Sequence, residues 1–76
     1  MPLTPAQCRA ARGLVNWSQT RLAEEAGVSR ATVTSFEAEK RTPIGNNIEA
    51  IQVSLEAAGV EFIPENGSGA GVRLRK

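Results

Sequence analysis

Residues 18–37 read SQTRLAEEAGVSRATVTSFE and contain two short helix patterns with almost nothing between them. Ser18 and Ser29 carry side chains that cap helix N-termini, so a helix is expected to begin after each of them. Gly27 can adopt the left-handed backbone conformation that ends a helix. Because only Gly27 and Val28 lie between the first helix and the cap of the second, the sequence predicts a sharp turn between two short helices.

The second of these helices has two different faces. Val33 and Phe36 suit a buried face. The opposite face is small or polar and is continuous at helical spacing: Arg30, Ala31, Thr34, Ser35 and Ala38. In a helix-turn-helix, the second helix lies in the major groove of DNA, where an arginine can donate two hydrogen bonds to guanine. The methyl groups of Ala31 and Thr34 can meet a thymine methyl, so this face is predicted to contact DNA.

The flanking segments predict two further helices. Residues 4–7, TPAQ, combine a capping residue, a proline at the first helical position and a glutamine that can complete a capping box, and Gly13 weakens the end of the helix that they start. Residues 42–43, Thr-Pro, open a fourth helix, which Gly59 ends. The inward stripe of this fourth helix is predicted to consist of Ile44, Ile48, Ile51 and Leu55.

The hydrophobic pattern changes after Gly59. Residues 60–62 and 72–75 alternate between apolar and polar side chains, and residues 64–71 between them, PENGSGAG, have turn chemistry. This pattern predicts a β-hairpin arm with a mobile loop. The expected fold is therefore mainly α, with a four-helix helix-turn-helix domain over residues 1–58 and a C-terminal β-hairpin arm over residues 59–76.

Residues 18–43, SQTRLAEEAGVSRATVTSFEAEKRTP, resemble the phage-repressor and Cro-type helix-turn-helix regulators, often called the XRE type. The matching positions are Ser18-Gln19, Leu22-Ala23, Ala26-Gly27-Val28-Ser29, Val33, Phe36-Glu37 and Arg41-Thr42-Pro43. Together with the flanking helices, the resemblance covers roughly residues 4–58. It implies a repressor-like DNA-binding domain whose partner is a double-stranded DNA operator.

The resemblance also implies roles for individual residues. Base contacts are expected from a recognition helix over residues 29–39, through Arg30, Ala31, Thr34 and Ser35. Phosphate contacts are expected from Ser18, Gln19, Thr32, Lys40 and Arg41. An ion pair between Arg12 and Glu37 is implied as well, and it would explain an arginine on the otherwise apolar stripe of the first helix.

This chain departs from the common pattern of the family in two places. Many relatives have glycine where this chain has Glu39, so the recognition helix is expected to run slightly longer here. Many relatives also end in a fifth helix, whereas residues 60–76 have the pattern of strands. The dimer geometry of the better-known members therefore does not carry over.

A two-fold homodimer is nevertheless expected, because one recognition helix covers only a few base pairs and a second copy is needed one DNA turn away, at about 34 Å. The fourth helix has a second, milder apolar strip, and the arm adds apolar residues to it. The predicted dimer surface is Ala50, Val53, Ala57, Val60, Phe62, Val72 and Leu74. The alternative is an arm that folds back on its own domain, because the core of so short a chain is only marginally stabilising.

Composition limits the other function classes. The formal net charge of +1 does not by itself demand a nucleic-acid partner. The chain has no histidine, and Cys8 is its single cysteine, so we expect no metal site, no cofactor and no catalytic residue, and therefore no enzyme. Cys8 is predicted to be a core residue rather than a redox sensor. Without a membrane-length apolar run or a disulfide pair, the protein is expected to be cytoplasmic.

Two functions remain open at this point. The first is a sequence-specific transcriptional regulator that binds a palindromic or pseudopalindromic operator as a dimer. The alternative is a regulator of the antitoxin or antiactivator type, which would use the same fold to bind a protein partner. Affinity for random duplex DNA across a salt series would discriminate between them, because phosphate contacts make binding fall steeply with salt.

Overall fold

The computed structural model describes residues 3–64, 67 and 69–75, and within them four helices precede an antiparallel two-stranded hairpin. The elements are α1 (Pro5–Val15), α2 (Gln19–Ala26), α3 (Arg30–Glu37), α4 (Gly45–Ala57), β1 (Val60–Ile63) and β2 (Gly71–Leu74). The predicted fold class, mainly α with a C-terminal hairpin, is confirmed. None of the described helices has the length and apolar character needed to cross a membrane.

α1 begins with the predicted capping box. Thr4 Oγ1 accepts a hydrogen bond from the backbone N–H of Gln7, and Gln7 Oε1 accepts one from the backbone N–H of Thr4, each at 3.0 Å. The helix runs past Gly13, where it was expected to weaken, and continues to Val15. Asn16, with φ of 59°, takes the left-handed position that ends it, which asparagine tolerates better than most residues.

The sharp turn between α2 and α3 is built from the predicted caps. Ser18 Oγ accepts a hydrogen bond from the Arg21 N–H, and Ser29 Oγ accepts one from the Thr32 N–H, each at 3.0 Å. Gly27 ends α2 with φ of 71°, in the left-handed region. These local interactions bring α2 against α3, and α2 also packs on α4.

α3 is shorter than the recognition helix of residues 29–39 that the sequence predicts. Ser29 is the cap outside the helix, and the last helical residue is Glu37. Glu39 adopts φ of 61°, so it takes the left-handed conformation that a glycine would take more easily. The expectation of a longer helix is therefore wrong, because the chain leaves the helix in spite of the missing glycine.

α4 begins later than predicted. Ile44, which was expected on the inward stripe, is the N-cap residue before Gly45 and makes no side-chain cap hydrogen bond. Its extended backbone turns the side chain out of the stripe, and 68% of Ile44 is exposed. Ile51 and Leu55 are fully buried as predicted, and Ile48 packs against the core.

The described residues form one apolar core to which the helices and the hairpin all contribute. Its largest fully buried side chains are Leu22, Ile51, Leu55, Val33, Val60 and Cys8. Burying a branched aliphatic side chain contributes about 1.5–3 kcal/mol relative to leaving it exposed. The core therefore fixes the packing of α3 on α2, with the outward face of α3 left free of it.

The hairpin folds back on its own chain. β1 pairs with β2 in the register Val60 with Leu74 and Phe62 with Val72, and both strands pack against α1. Gln7 Nε2 donates hydrogen bonds to the carbonyls of Ile63, at 3.2 Å, and Gly71, at 3.0 Å. This side chain therefore joins the start of α1 to the end of the hairpin that carries the turn. Of the loop predicted to be mobile, residues 65, 66 and 68 lie outside the described residues.

Candidate nucleic-acid interface

The outward face of α3 holds the residues predicted to contact bases. Arg30, Ala31 and Thr34 are exposed, and Ser35 is half-buried. Val33 and Phe36 on the opposite face are buried in the core. α3 thus presents a short face of small side chains with an arginine at its N-terminal end, the end that meets base edges in a helix-turn-helix.

A groove runs beside this face and brings together two of the predicted base contacts, Ala31 and Ser35, with three of the predicted phosphate contacts, Thr32, Lys40 and Arg41. It has a volume of about 610 Å³ and lies between α3 and the segment that leads into α4. Its lining residues are Ala31, Thr32, Ser35, Lys40, Arg41, Thr42, Pro43, Ile44 and Asn47. Lys40 and Arg41 are exposed, so their charges lie in solvent next to the outward face of α3. Ile44 was not predicted to line the groove, because it was assigned to the buried stripe of α4. Asn47 was not predicted to line it either.

Three of the predicted phosphate contacts already take part in hydrogen bonds within the chain. Ser18 Oγ and Ser29 Oγ are N-cap acceptors, and the hydroxyls of Ser29 and Thr32 lie 2.8 Å apart. The half-buried side-chain amide of Gln19 hydrogen-bonds to two residues of α3, Thr34 and Glu37. Ser18 accepts through its oxygen, so this cap does not use the proton of its hydroxyl group.

Arg12 of α1 and Glu37 of α3 form an ion pair on the buried side of α3. Arg12 Nη2 donates to Glu37 Oε1 at 2.7 Å, and Arg12 Nε donates to Glu37 Oε2 at 2.8 Å. Arg12 Nη1 also donates to the Trp17 carbonyl at 3.1 Å, which ties the guanidinium to the segment before α2. Only 3% of the Glu37 side chain is exposed, so this carboxylate depends on its partners for solvation.

Glu37 accepts more hydrogen bonds than the sequence predicted. Cys8 Sγ donates to Oε2 at 2.9 Å, and Gln19 Nε2 donates to Oε1 at 3.0 Å. Burial raises the pKa of Glu37, but the accepted hydrogen bonds, with that of Arg12 first, outweigh burial and hold the pKa below its ordinary value. Glu37 is therefore ionised at neutral pH, and α1, α2 and α3 share one buried charge.

The partners of Glu37 respond in the opposite direction. Burial, followed by the hydrogen bond to Glu37, raises the pKa of the Cys8 thiol well above its ordinary value. The hydrogen bond to Glu37 raises the pKa of Arg12. Cys8 is thus a protonated, fully buried hydrogen-bond donor, and this environment opposes formation of the thiolate that redox chemistry needs.

Gln19 links this buried carboxylate to the outward face of α3. Its Nε2 donates to Glu37, and its Oε1 accepts a hydrogen bond from Thr34 Oγ1 at 3.1 Å. Sequence reasoning placed Gln19 at a phosphate and did not predict these bonds. Only the fold brings residues 19, 34 and 37 together, and nothing in their spacing along the chain indicates a three-residue contact.

The predicted dimer surface is smaller than expected. Val60 is fully buried in the core, and Phe62 and Val72 pack against that core. Val60 is therefore not available for the contact that the sequence predicted, whereas Phe62 and Val72 are covered only in part by their own chain. The physical reason is that the core of the helices alone is incomplete, and the hairpin fills it.

The remaining residues of that surface stay accessible. Ala50 is half-buried and Ala57 is exposed on α4. Val53 is 54% exposed, and Leu74 on β2 is 48% exposed. These exposed apolar side chains are accessible to a second protein surface, either another copy or a different chain.

Within residues 3–64, 67 and 69–75, no three histidine, cysteine, aspartate or glutamate side chains are grouped so that they could hold a metal ion. The described polar groups at the site are instead donors and acceptors suited to phosphate and base edges: guanidinium, ammonium, hydroxyl and amide.

Comparison with known proteins agrees with this geometry. A family model described as helix-turn-helix matches residues 9–56, which include α2, α3 and most of α1 and α4. No curated protein matches the chain.

Proposed function

The chain belongs to the XRE-type helix-turn-helix family of DNA-binding transcription regulators, which is not a catalytic family, and from this premise we propose that it is a sequence-specific regulator. It binds a palindromic or pseudopalindromic operator as a homodimer, with one α3 in each of two successive turns of the major groove. Its place of action is the cytoplasm, where such an operator is accessible.

The observation that carries this proposal is the shared surface of α3 and the groove beside it. Arg30, Ala31 and Thr34 are exposed on α3, and Lys40 and Arg41 are exposed along the adjoining groove. Base edges give specificity and phosphates give position, so a DNA-binding face needs both kinds of group side by side. Arg30 acts as the donor to guanine, and Ala31 with Thr34 forms the apolar part of the face. Ser35 lines the groove and completes the base contacts.

The phosphate contacts come from the groove and from the start of α2. Lys40 and Arg41 supply the two positive charges of the groove. Thr32 on α3 lines the same groove, and Ser18 and Gln19 stand at the start of α2; these three residues contribute neutral hydrogen bonds that position the duplex. Because neutral contacts release no counterions, the salt dependence of binding is carried mainly by Lys40 and Arg41.

The dimer is held by the accessible part of the apolar surface. Val53 on α4 and Leu74 on β2 are its large exposed members, and Ala50 and Ala57 lie beside Val53 on the same helix. Burial of these side chains against a second copy removes apolar area from water, which favours association. The same residues would serve a different protein partner, and the oligomer measurement below distinguishes the two cases.

Selection of bound duplexes from a random DNA pool tests operator binding. The expected result is a two-fold symmetric sequence with half-sites about 10 base pairs apart, because that is the spacing of successive major grooves on one side of DNA. Arg30→Ala is expected to lose about 1–3 kcal/mol at one base position in each half-site and to relax the preference there. Equal loss on selected and random DNA would contradict the base contact of Arg30.

Lys40→Ala is the matched control for Arg30→Ala, because it also removes one exposed positive charge. It is expected to weaken binding to all duplexes alike and to flatten the slope of log affinity against log salt by about 0.9. Failure to enrich any duplex, with a partner-bound complex found instead, would favour the alternative function.

Sedimentation tests the dimer. Truncation after Gly59 would remove Val60 from the core, so point substitutions are the better probe. Val53→Glu and Leu74→Glu place charges on exposed positions and are expected to shift the protein to a monomer that binds the operator more weakly. Glu49→Gln, an exposed position on α4, is the control. A dimer that survives both charged substitutions would locate the interface elsewhere.

A further inference from the structure

A continuous chain of hydrogen bonds runs from the buried side of α3 to its outward face. Glu37 is ionised and accepts from Arg12, Cys8 and Gln19. Because a carboxylate can only accept, Gln19 must turn its Nε2 toward Glu37. The amide oxygen of Gln19 then faces the other way, toward Thr34.

This polarity fixes what Thr34 can offer to DNA. Gln19 Oε1 is an acceptor without a proton, so the Thr34 hydroxyl must be the donor in the 3.1 Å contact between them. Its Oγ1 is thereby held toward α2, and the methyl carbon is the other γ substituent of this exposed side chain. A serine at this position would have no methyl to present, and a freely rotating threonine would offer a hydroxyl as often as a methyl.

We propose that Gln19 is a positioning residue for base recognition, which holds Thr34 so that it meets the major groove with its methyl group and selects the 5-methyl group of a thymine. The inference rests on the proposed operator binding and deepens it by assigning the chemistry of one contact. Gln19 acts here through Thr34, in addition to any contact that its second Nε2 proton makes with a phosphate.

Replacing one thymine of the selected operator at a time with deoxyuridine removes a single methyl group and changes nothing else in the groove. One position in each half-site is expected to lose about fourfold in affinity, which corresponds to the burial of one methyl group. Thr34→Ser keeps the hydroxyl and removes the methyl, so it should abolish this thymine preference. Thr34→Val keeps methyl groups and removes the hydroxyl, so it should retain the preference.

Gln19→Ala tests the positioning step. With Thr34 in place, it is expected to lower the fourfold thymine-to-uracil ratio toward one, because the hydroxyl is released. In a protein that also carries Thr34→Val, Gln19→Ala is expected to leave the ratio unchanged. A loss of stability cannot imitate this pattern, since both duplexes meet the same folded fraction of each variant.

Failure of the inference and failure of the proposed function give different results. If Gln19→Ala weakens binding to all duplexes equally while the ratio stays near fourfold, Gln19 serves only a phosphate and the inference is wrong, although operator binding stands. The inference is also wrong if Thr34→Ser keeps the ratio and Thr34→Val loses it, because the hydroxyl would then contact the base. If no duplex is selected at all, the proposed function fails and the inference fails with it.

Discussion

The helical interior and the hairpin each contain an arginine–glutamate pair of similar geometry in very different surroundings. Arg12 donates to Glu37 through Nε and Nη2 at 2.8 and 2.7 Å, and Arg73 donates to Glu61 through the same two atoms at 3.0 and 3.3 Å. The Glu37 side chain is 3% exposed, whereas that of Glu61 is 42% exposed.

Burial decides what each pair contributes to stability. Water replaces the partner of an exposed charge at little cost, so exposed pairs often contribute nothing measurable. A buried carboxylate loses that alternative, and removing one member of its pair leaves the other uncompensated. Glu37 also joins three helices through Cys8, Arg12 and Gln19, so its removal is expected to disturb both the core and the outward face of α3.

The largest effect is expected from Glu37→Ala, which should lower the free energy of unfolding by about 3 kcal/mol. This is the lower end for a buried pair, because Arg12 is partly exposed and water can reach its guanidinium. A double-mutant cycle of Arg12→Ala and Glu37→Ala in urea measures the coupling. The matched cycle of Arg73→Ala and Glu61→Ala should give no measurable coupling, and equal couplings in the two cycles would overturn the comparison.

Sequence reasoning found the interior pair but not its full set of partners. The family resemblance was enough to indicate Arg12 and Glu37, because their roles go with positions in the motif. The bonds from Cys8 and Gln19 depend on how α1, α2 and α3 pack in three dimensions. Local caps such as Thr4 and Ser29 were predictable for the opposite reason, since each involves residues three apart.

The next largest effect is expected from a substitution of Gln7, which tests whether the hairpin is held to the helical core as firmly as the helices are held to one another. Gln7 is 3% exposed, and its Nε2 donates to the carbonyls of Ile63 and Gly71. Gln7→Glu keeps an acceptor for the Thr4 N–H but replaces two donors with a carboxylate oxygen facing two carbonyls. It is expected to destabilise the protein by about 2 kcal/mol, because the carbonyls lose their donors and a charge is buried without a partner.

Hydrogen exchange locates the effect of Gln7→Glu. Amides of β1 and β2 should lose protection first, while those of α2 and α3 keep theirs. Thr4→Ala is the control, because it removes the Oγ1 cap acceptor and leaves the two Gln7 donors in place. Loss of protection spread evenly over the helices and the hairpin would mean that the hairpin unfolds only with the whole chain.

The sequence did not determine which surface the hairpin packs against. Alternation of apolar and polar side chains correctly indicated two strands, but it cannot say which surface covers their apolar side. Val60 fills the core of its own chain, so the folded-back alternative describes the arm. The Gln7 contacts escaped prediction because they join residues far apart in sequence.

Protonation of Glu37 in acid is expected to lower the free energy of unfolding by less than these substitutions do, because the protonated side chain keeps its place and can still accept hydrogen bonds. The pKa of Glu37 is lowered in the folded state, so the stability that it contributes is present above its unfolded pKa of about 4.3 and is lost as pH falls through the folded value. Urea unfolding at pH values from neutral to strongly acid should show this loss, and Glu37→Gln should reduce it.

Salt separates the two pairs in the same titration. The hydrogen bond and charge of Arg73 also lower the pKa of Glu61, but that pair is exposed to the ionic atmosphere. Glu61→Gln is therefore expected to remove no measurable part of the acid loss at high ionic strength, while the part that Glu37→Gln removes should persist. An acid loss that vanishes entirely in salt would assign it to surface charges and contradict the role of Glu37.

Helix ends were predicted well where a favourable residue marks them and poorly where it does not. Gly27 marks the end of α2, and the structure ends the helix there. Glu39 gives no such signal, so the sequence suggested a longer α3. At the start of α4, Ile44 gave a misleading signal, because its apolar side chain fits the helical stripe although its backbone lies outside the helix. Periodicity detects the face of a helix better than its first and last residues.

The smallest predicted effect is an increase in stability. It concerns a third glutamate, Glu39, which is neither buried nor well paired. Glu39 has φ of 61°, and its carboxylate lies 3.9 Å from Arg9 Nη2 with both side chains largely exposed. Glu39→Gly should raise the free energy of unfolding by about 0.5–1 kcal/mol, because relief of left-handed strain exceeds the greater unfolded-state entropy of glycine. Glu39→Ala removes the same charge and keeps the strain, so it should give no gain. Urea unfolding of both variants makes the comparison. Equal gains would show that charge, rather than backbone conformation, limits stability at this end of α3.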